Sequence, residues 1–312
     1  MKKMRAAGIY ALIIAISSLA VSCTKSSLSS SEQLDKEQAL LKQYLQTNNI
    51  TTTPTASGLY YIPSDTGTGI KPDTLDVVEF TYTLKRLNGT VIATNIASVA
   101  TQNGFNTSGV FYVPFKYRLA WWFAGLKEGF QLMREGGKAT FIIPSQLAYG
   151  PNGASGLNIA GYTTVIFEIS LIRVIHDPIA YENSQIQTFL ADSISQAKTV
   201  EHLDSGVLHI TDIAGSGVFP ADYQTVSVRY VAKFIDGTFI ESNTGNLSPF
   251  NYRVAMDQVI QGFYIGIKHM KKGESGWVII PYKQAYGERP PYYINLPPFT
   301  TMLYYITIVD IQ

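Results

Sequence analysis

One cysteine, Cys23, is all that 312 residues contain. A lone thiol forms no internal disulfide, so the chain must hold itself together by packing. Charge is scarce as well. Asp, Glu, Lys and Arg make up 15% of the residues, and the formal net charge is +1. The basic residues gather on no stretch that would track a phosphate backbone, so no nucleic-acid partner is expected. The four histidines, His176, His202, His209 and His269, are scattered without metal-ligand spacing. Asp204-Ser205 belongs to no credible Ser-His-Asp set, and Gly67-Thr68-Gly69 lacks the phosphate-loop pattern. Asn88-Gly89-Thr90 fits a glycosylation acceptor but reads as a tight turn. After Cys23 no run is apolar enough to span a bilayer.

What is present is apolar and aromatic. Apolar residues reach 46%, with 20 tyrosines and 15 phenylalanines. A chain of this length exceeds the usual single core, so two domains are expected. At the N-terminus Lys2, Lys3 and Arg5 precede an apolar stretch from Ala6 to Val21, the form of a secretory signal. Cys23 follows Leu19-Ala20-Val21-Ser22, which resembles a bacterial lipobox. On that reading Cys23 is lipidated and becomes the first residue of a membrane-anchored protein. An ordinary signal peptide with a free cysteine nearby is the alternative. Thr24 to Ser31 is Ser-rich and reads as a tether. Glu32 to Leu45 carries Leu34, Leu41 and Leu45 at helical spacing.

The main fact is a repeat. Gly215-Ser216-Gly217 lies 148 residues after Gly67-Thr68-Gly69, and Tyr230 and Gly237 lie 148 after Tyr82 and Gly89. The offset becomes 135 at Phe250 and Tyr252 against Phe115 and Tyr117. It settles at 137 for Gly262, Met270, Gly273, Pro281, Tyr286 and Tyr304 against Gly125, Met133, Gly136, Pro144, Tyr149 and Phe167. The match survives both length changes, so the two copies share a fold. Each reads as short strands, a hairpin turn at Asn-Gly or Asp-Gly, a polar stretch with no periodicity (residues 95–109 in copy one) that reads as a loop or bulged insertion, one short helix, and two further strands. The helix of copy one is expected over 121–133. A single helix can cover the apolar face of one small antiparallel sheet, giving an α+β unit with a concave space between helix, sheet and the loop after Tyr149 or Tyr286. Ile186, Phe189 and Leu190 predict a second leading helix over 182–193. The expected division is residues 1–23 leader, 24–56 tether and helix, 57–174 domain 1, 175–204 linker helix and 205–312 domain 2. The leading helices pack either on their own domains or in a homodimer.

The run from Gly129 to Ala139, with Ile143-Pro144 and Leu147-Ala148-Tyr149-Gly150, resembles the FK506-binding-protein family of peptidyl-prolyl isomerases. So do His269 to Gly273, Ile280-Pro281, Gln284-Ala285-Tyr286-Gly287 and Leu296-Pro297-Pro298 in copy two. With its lipobox and leading helices the chain further resembles exported lipoproteins of that family from Bacteroidetes, placed in the cell envelope at the outer membrane of a Gram-negative bacterium. The resemblance implies two FKBP-like domains, no cofactor and no metal. It also implies proline-containing polypeptides as partners and cis-trans isomerisation of X-Pro bonds as activity. The alternative is a non-catalytic peptide- or protein-binding scaffold.

Carried over position by position, the resemblance implies a prolyl-ring bowl in copy two. Tyr230, Ile240, Phe250, Val259, Ile260 and Tyr304 line it, Phe263 stands where the family has tryptophan, and Tyr286 donates its hydroxyl to a substrate carbonyl. Glu241 replaces the rim aspartate that receives a hydrogen bond, and must fold back to do so. Ile240 replaces an aromatic. In copy one Tyr82, Phe115, Tyr149 and Phe167 are kept. Trp122, Phe123 and Leu126 depart from the pattern, and Ile92 and Ala93 replace the aromatic and the acid, so that pocket is expected to be degenerate. Phe250 and Phe263 read equally well as ordinary core.

Overall fold

The computed structural model describes residues 28–193, 198–291 and 296–312. The leader with Cys23, and Tyr292 and Tyr293 in the loop between Tyr286 and the last strand, lie outside the described residues. Among the described residues no helix is long and apolar enough to cross a membrane.

The first leading helix, α1, runs Ser30–Thr47. Ser29 caps it: its Oγ accepts from Glu32 N–H while Glu32 reaches back to the Ser29 amide. The helix therefore starts inside the stretch expected to be tether. Domain 1 follows with β1 (Tyr60–Asp65), β2 (Val77–Arg86), β3 (Val91–Thr94), α2 (Ala97–Gln102), β4 (Phe115–Arg118), α3 (Ala124–Leu132), β5 (Lys138–Ile143) and β6 (Val165–Ile175). The strand order is β1-β5-β6-β2-β3, antiparallel throughout, with β4 paired to the start of β2. Helix α4 (Pro178–Ser193) leads into domain 2: β7 (Val200–His202), β8 (Leu208–Ile213), β9 (Thr225–Phe234), β10 (Phe239–Ser242), β11 (Phe250–Arg253), α5 (Gln261–Lys268), β12 (Ser275–Ile280) and β13 (Met302–Ile311). Its order, β10-β9-β13-β12-β8-β7 with β11 on β9, repeats the first domain and adds β7 at the edge.

Three expectations need correction. Residues 95–109 are not all loop. They contain α2, a helix too short to show periodicity, which buries Ala100. The helix of copy one begins at Ala124, because Leu119–Trp121 form a 3-10 turn and Trp122 and Phe123 are extended. The linker carries a longer helix than expected, from Pro178, and also the strand β7.

Each sheet has a helix on both faces, so its central strands read as continuous apolar runs rather than alternating ones. In β5, Phe141 and Ile143 face the core with α3, while Ile142 packs with Ile166 and Leu41 of α1. In β12, Val278 and Ile280 join α5, while Ile279 joins Leu303 and Ile186 of α4. The leading helices thus pack on their own domains.

Each does so through one buried glutamate. Ser145 N–H and Oγ–H donate to Glu37 at 2.7 and 2.6 Å, and the Thr164 hydroxyl donates at 2.6 Å. In domain 2, Tyr282 N–H and the Thr301 hydroxyl donate to Glu182 Oε1 at 2.7 and 2.5 Å. Ser145 and Tyr282 open the turns that lead to Tyr149 and Tyr286, so the carboxylates fix those turns.

The inner helices lie close on their sheets because of two glycines in each. A Cβ on Gly125 or Gly129 would stand 2.3 Å from Ile143 or 2.4 Å from Phe141. On Gly262 or Gly266 it would stand 2.1 Å from Ile280 or 2.5 Å from Val278. Those distances are inside contact, so a methyl group there would lift the helix.

Replacing Glu37 by Ala strands one buried N–H and two hydroxyls. Loss of about 3 kcal/mol is expected in urea unfolding of the two-domain chain, and clearly less for Glu37→Gln, which keeps a carbonyl acceptor.

Candidate functional site

In domain 2 the inward positions of four strands and one helix converge on a bowl. Tyr230 comes from β9, Ile240 and Glu241 from β10, Phe250 from β11 and Tyr304 from β13. Val259 and Ile260 lead into α5, Phe263 sits in its first turn, and Tyr286 follows the turn after β12. Tyr230, Ile240, Val259, Ile260, Phe263, Tyr286 and Tyr304 pack in one apolar cluster. Phe263 is 4% and Tyr304 6% exposed. Their rings lie 5.3 Å apart, and Tyr230 stands 6.1 Å from the first and 5.6 Å from the second. Tilted and edge-on contacts of this kind suit the ring quadrupoles. Phe263 thus forms a floor, backed from below by fully buried Tyr252 at 6.1 Å. Phe250 is 39% exposed, and its ring meets Tyr230 edge-on at 6.3 Å, so it belongs to the rim.

The polar groups are few. The Tyr230 hydroxyl donates to Glu241 Oε1 at 3.0 Å. Burial, with the Glu241 carboxylate adding to it, pushes the Tyr230 phenol up to about 12. Burial first, then Glu241, also raises Tyr286, and burial raises Tyr304 further still. Both therefore stay protonated donors at neutral pH. The Tyr286 side chain is half-buried, and its hydroxyl makes no hydrogen bond among the described residues. No His, Cys, Asp and Glu cluster among the described residues could hold a metal.

Sequence reasoning missed the residue that sets Tyr230. Buried Asn243 accepts from Tyr230 N–H at 2.7 Å and donates to Val228 C=O at 2.9 Å. In domain 1 Asn95 does the same for Tyr82 and Phe80, at 2.7 and 3.0 Å. The signal was available: Asn95 and Asn243 share the 148-residue offset of their tyrosines.

The corresponding space in domain 1 is built differently. Tyr82, Ile92, Phe115, Trp122, Phe123 and Tyr149 pack against buried Leu126 and Phe167. Phe123, at the position of Ile260, lies 5.2 Å from Tyr149 and 6.1 Å from Phe167. Trp122 lies 4.5 Å from Tyr117, and its indole N–H is buried with no hydrogen-bond partner among the described residues. Ala93 offers Tyr82 no carboxylate. Burial pushes Tyr149 up to about 12.

The model of the FKBP-type peptidyl-prolyl cis-trans isomerases matches residues 69–172 and 217–309, more than half of the chain. The chain belongs to that family. It is 34% identical over 140 residues to the probable FKBP-type peptidyl-prolyl cis-trans isomerase FkpA of Neisseria meningitidis, an alignment covering 45% of this chain and 46% of the relative. It is 27% identical over 195 residues to the FKBP-type 22 kDa isomerase of Escherichia coli, covering 60% and 91%. Among solved structures, a peptidyl-prolyl cis-trans isomerase of Pseudomonas syringae pv. tomato aligns with 26% identity and a TM-score of 0.39, covering 48% of this chain and 99% of that one. The chain spans about half the length of the Neisseria relative and of the FkpA isomerase of Buchnera aphidicola, with which it is 30% identical over 131 residues.

The bowl's phenols make a pH test. An unfolded tyrosine titrates near 10, and these folded values lie above that. The stability they contribute is complete below about pH 10 and is lost as pH rises above it, because the folded state holds the phenolic protons more tightly than the unfolded chain. The urea midpoint of domain 2 is expected to hold from neutral pH to about 9.5 and fall above 10. Tyr304→Phe should fall less steeply.

Proposed function

We propose that domain 2 accelerates cis-trans isomerisation of X-Pro bonds in exported polypeptides. The observation that carries this reading is the polar pair at the rim of an aromatic bowl: Tyr230 bonded to Glu241, beside a Tyr286 hydroxyl with no partner among the described residues. The uncatalysed rotation faces about 18–20 kcal/mol, because resonance keeps the amide planar. Lowering it requires no nucleophile, base or metal. It requires a site that binds the twisted amide better than either planar form. Phe263, Tyr304 and Tyr230 would hold the prolyl ring, with Val259, Ile260, Ile240 and Phe250 around it. Tyr286 would donate to a carbonyl of the peptide. Glu241 would keep Tyr230 in place.

Domain 1 supports a different reading, of a peptide-binding or structural module. Phe123 and Trp122 add bulk, and Ala93 removes the acid. For the chain as a whole we propose export and lipidation at Cys23, which would hold both domains in the cell envelope, at the outer membrane of a Gram-negative bacterium. The basic leader and the residues before Cys23 support this.

The test is exchange NMR on an aromatic-Pro peptide with the chain from residue 24. Exchange is expected with the parent and with Tyr149→Ala, and is expected to drop about tenfold or more with Tyr286→Ala. Peptide shifts without acceleration by the parent would sink catalysis and leave a binding module. Anchoring has its own check: labelled palmitate should enter the full-length protein in a bacterial host and not the Cys23→Ser variant. Equal labelling of both would exclude Cys23 as the acceptor.

A further inference from the structure

The chain that leaves Tyr286 does not end against its own domain. Glu288, two residues on, receives the fork of Arg118 from β4 of domain 1, with Nε at 3.1 Å and Nη2 at 3.1 and 3.0 Å from its two oxygens. The remaining arm of Arg118 donates to Leu75 C=O at 2.7 Å, so the guanidinium is held from behind. The next residue, Arg289, lays its guanidinium over Trp121 of domain 1 at 3.8 Å. Beneath these contacts lies an apolar cluster between the domains: Val77 and Ile175 of domain 1 with Tyr282 and Phe299 of domain 2. Gly287 is bracketed by the same group. Its N–H donates to Tyr282 C=O at 2.7 Å, and its C=O accepts from Phe299 N–H at 3.1 Å. Tyr286 thus sits at one end of a short segment whose other contacts reach domain 1.

The two copies diverge at this point. Gly287-Glu288-Arg289 corresponds to Gly150-Pro151-Asn152, which carries no charge. That loop is braced within domain 1, by Tyr162 N–H to Gly150 C=O at 3.0 Å and by the pairing of Ala154 with Ile159. Only the copy with the rim acid has charges there that reach across.

We infer that domain 1 positions the active-site loop of domain 2, with Arg118 and Trp121 as the positioning residues for Tyr286. The inference rests on the function proposed above and deepens it: the degenerate copy serves its partner's pocket. A bidentate, partly buried arginine-carboxylate pair gives direction as well as attraction, because both oxygens must face one plane. Removing it frees the segment without touching any residue of the bowl.

The experiment uses the two-domain chain with Arg118→Ala, Glu288→Ala, Glu288→Gln and the double alanine variant. KM and kcat for an aromatic-Pro peptide are measured together with amide hydrogen exchange at Gly287 and Phe299. KM is expected to rise about threefold or more in either alanine variant, with kcat changed less. Exchange at the two amides should quicken about tenfold. Glu288→Gln should recover part of both, and the double variant should be no worse than the worse single one. Unchanged KM and unchanged exchange in the alanine variants would overturn the inference, as would additive losses in the double variant. Should Arg118→Ala not fold, Glu288→Ala decides, since that side chain lies partly exposed at the surface. A parent without turnover would defeat the isomerase reading alone. Peptide Kd, in place of KM, and the exchange rates would then still decide this one.

Discussion

The close seating of one short helix on each sheet governs the rest of the architecture. It depends on the absence of a side chain at Gly125 and Gly129 in domain 1 and at Gly262 and Gly266 in domain 2. With the helix that near, the residue one position after the first of each glycine pair becomes the floor of the concave space: Leu126 in one copy, Phe263 in the other. A wider separation would open a groove into the core and lose the contacts of Phe263 with Tyr304 and Tyr230. The shallow aromatic bowl is therefore a consequence of helix-sheet distance as much as of the rings that line it. Glycine costs helix stability in isolation. Here the packing that it permits outweighs that cost.

Much of this was legible in the sequence. The repeat offsets register the two copies through Pro144 and Pro281, Tyr149 and Tyr286, and the strands around them. The aromatic set at Tyr230, Phe263 and Tyr304 came from the family resemblance carried onto these positions. What was not legible has physical reasons. Helix α2 has six residues, too few for a period to emerge. Strand β7 has three, and is recognisable only from its pairing with β8. Asn95 and Asn243 look like turn residues, because their partners are main-chain groups that no side-chain pattern reveals. The glycine pairs were visible as letters, but their meaning needs the distance to the strand beneath. The fold back of Glu241 onto Tyr230 is a matter of rotamer, which spacing does not specify. The contact between Arg118 and Glu288 joins residues far apart in sequence and different in the two copies, so the repeat itself hides it.

The two domains illustrate how far one scaffold can carry different surfaces. Both keep the tyrosine that follows the turn after the fifth strand of the repeat. In domain 2 it borders an acid and an aliphatic pair. In domain 1 it borders Phe123, with Trp122 alongside and no acid at all. The strand ladders tolerate these exchanges because they fall on side chains at the mouth of the bowl, while backbone pairing and the glycine seats are retained.

The buried glutamates show how far the repeat reaches. Glu37 and Glu182 hold equivalent places beneath Thr164 and Thr301. The repeat therefore extends beyond the sheets to the leading helices, each of which carries one internal carboxylate in the same place. The two copies differ at one neighbour of that acid. Ser145 still gives its hydroxyl to the acid, whereas Tyr282 gives only its amide and turns its ring toward Phe299 in the seam between the domains. The position that braces a turn within domain 1 thus serves, in domain 2, to anchor the seam between the domains.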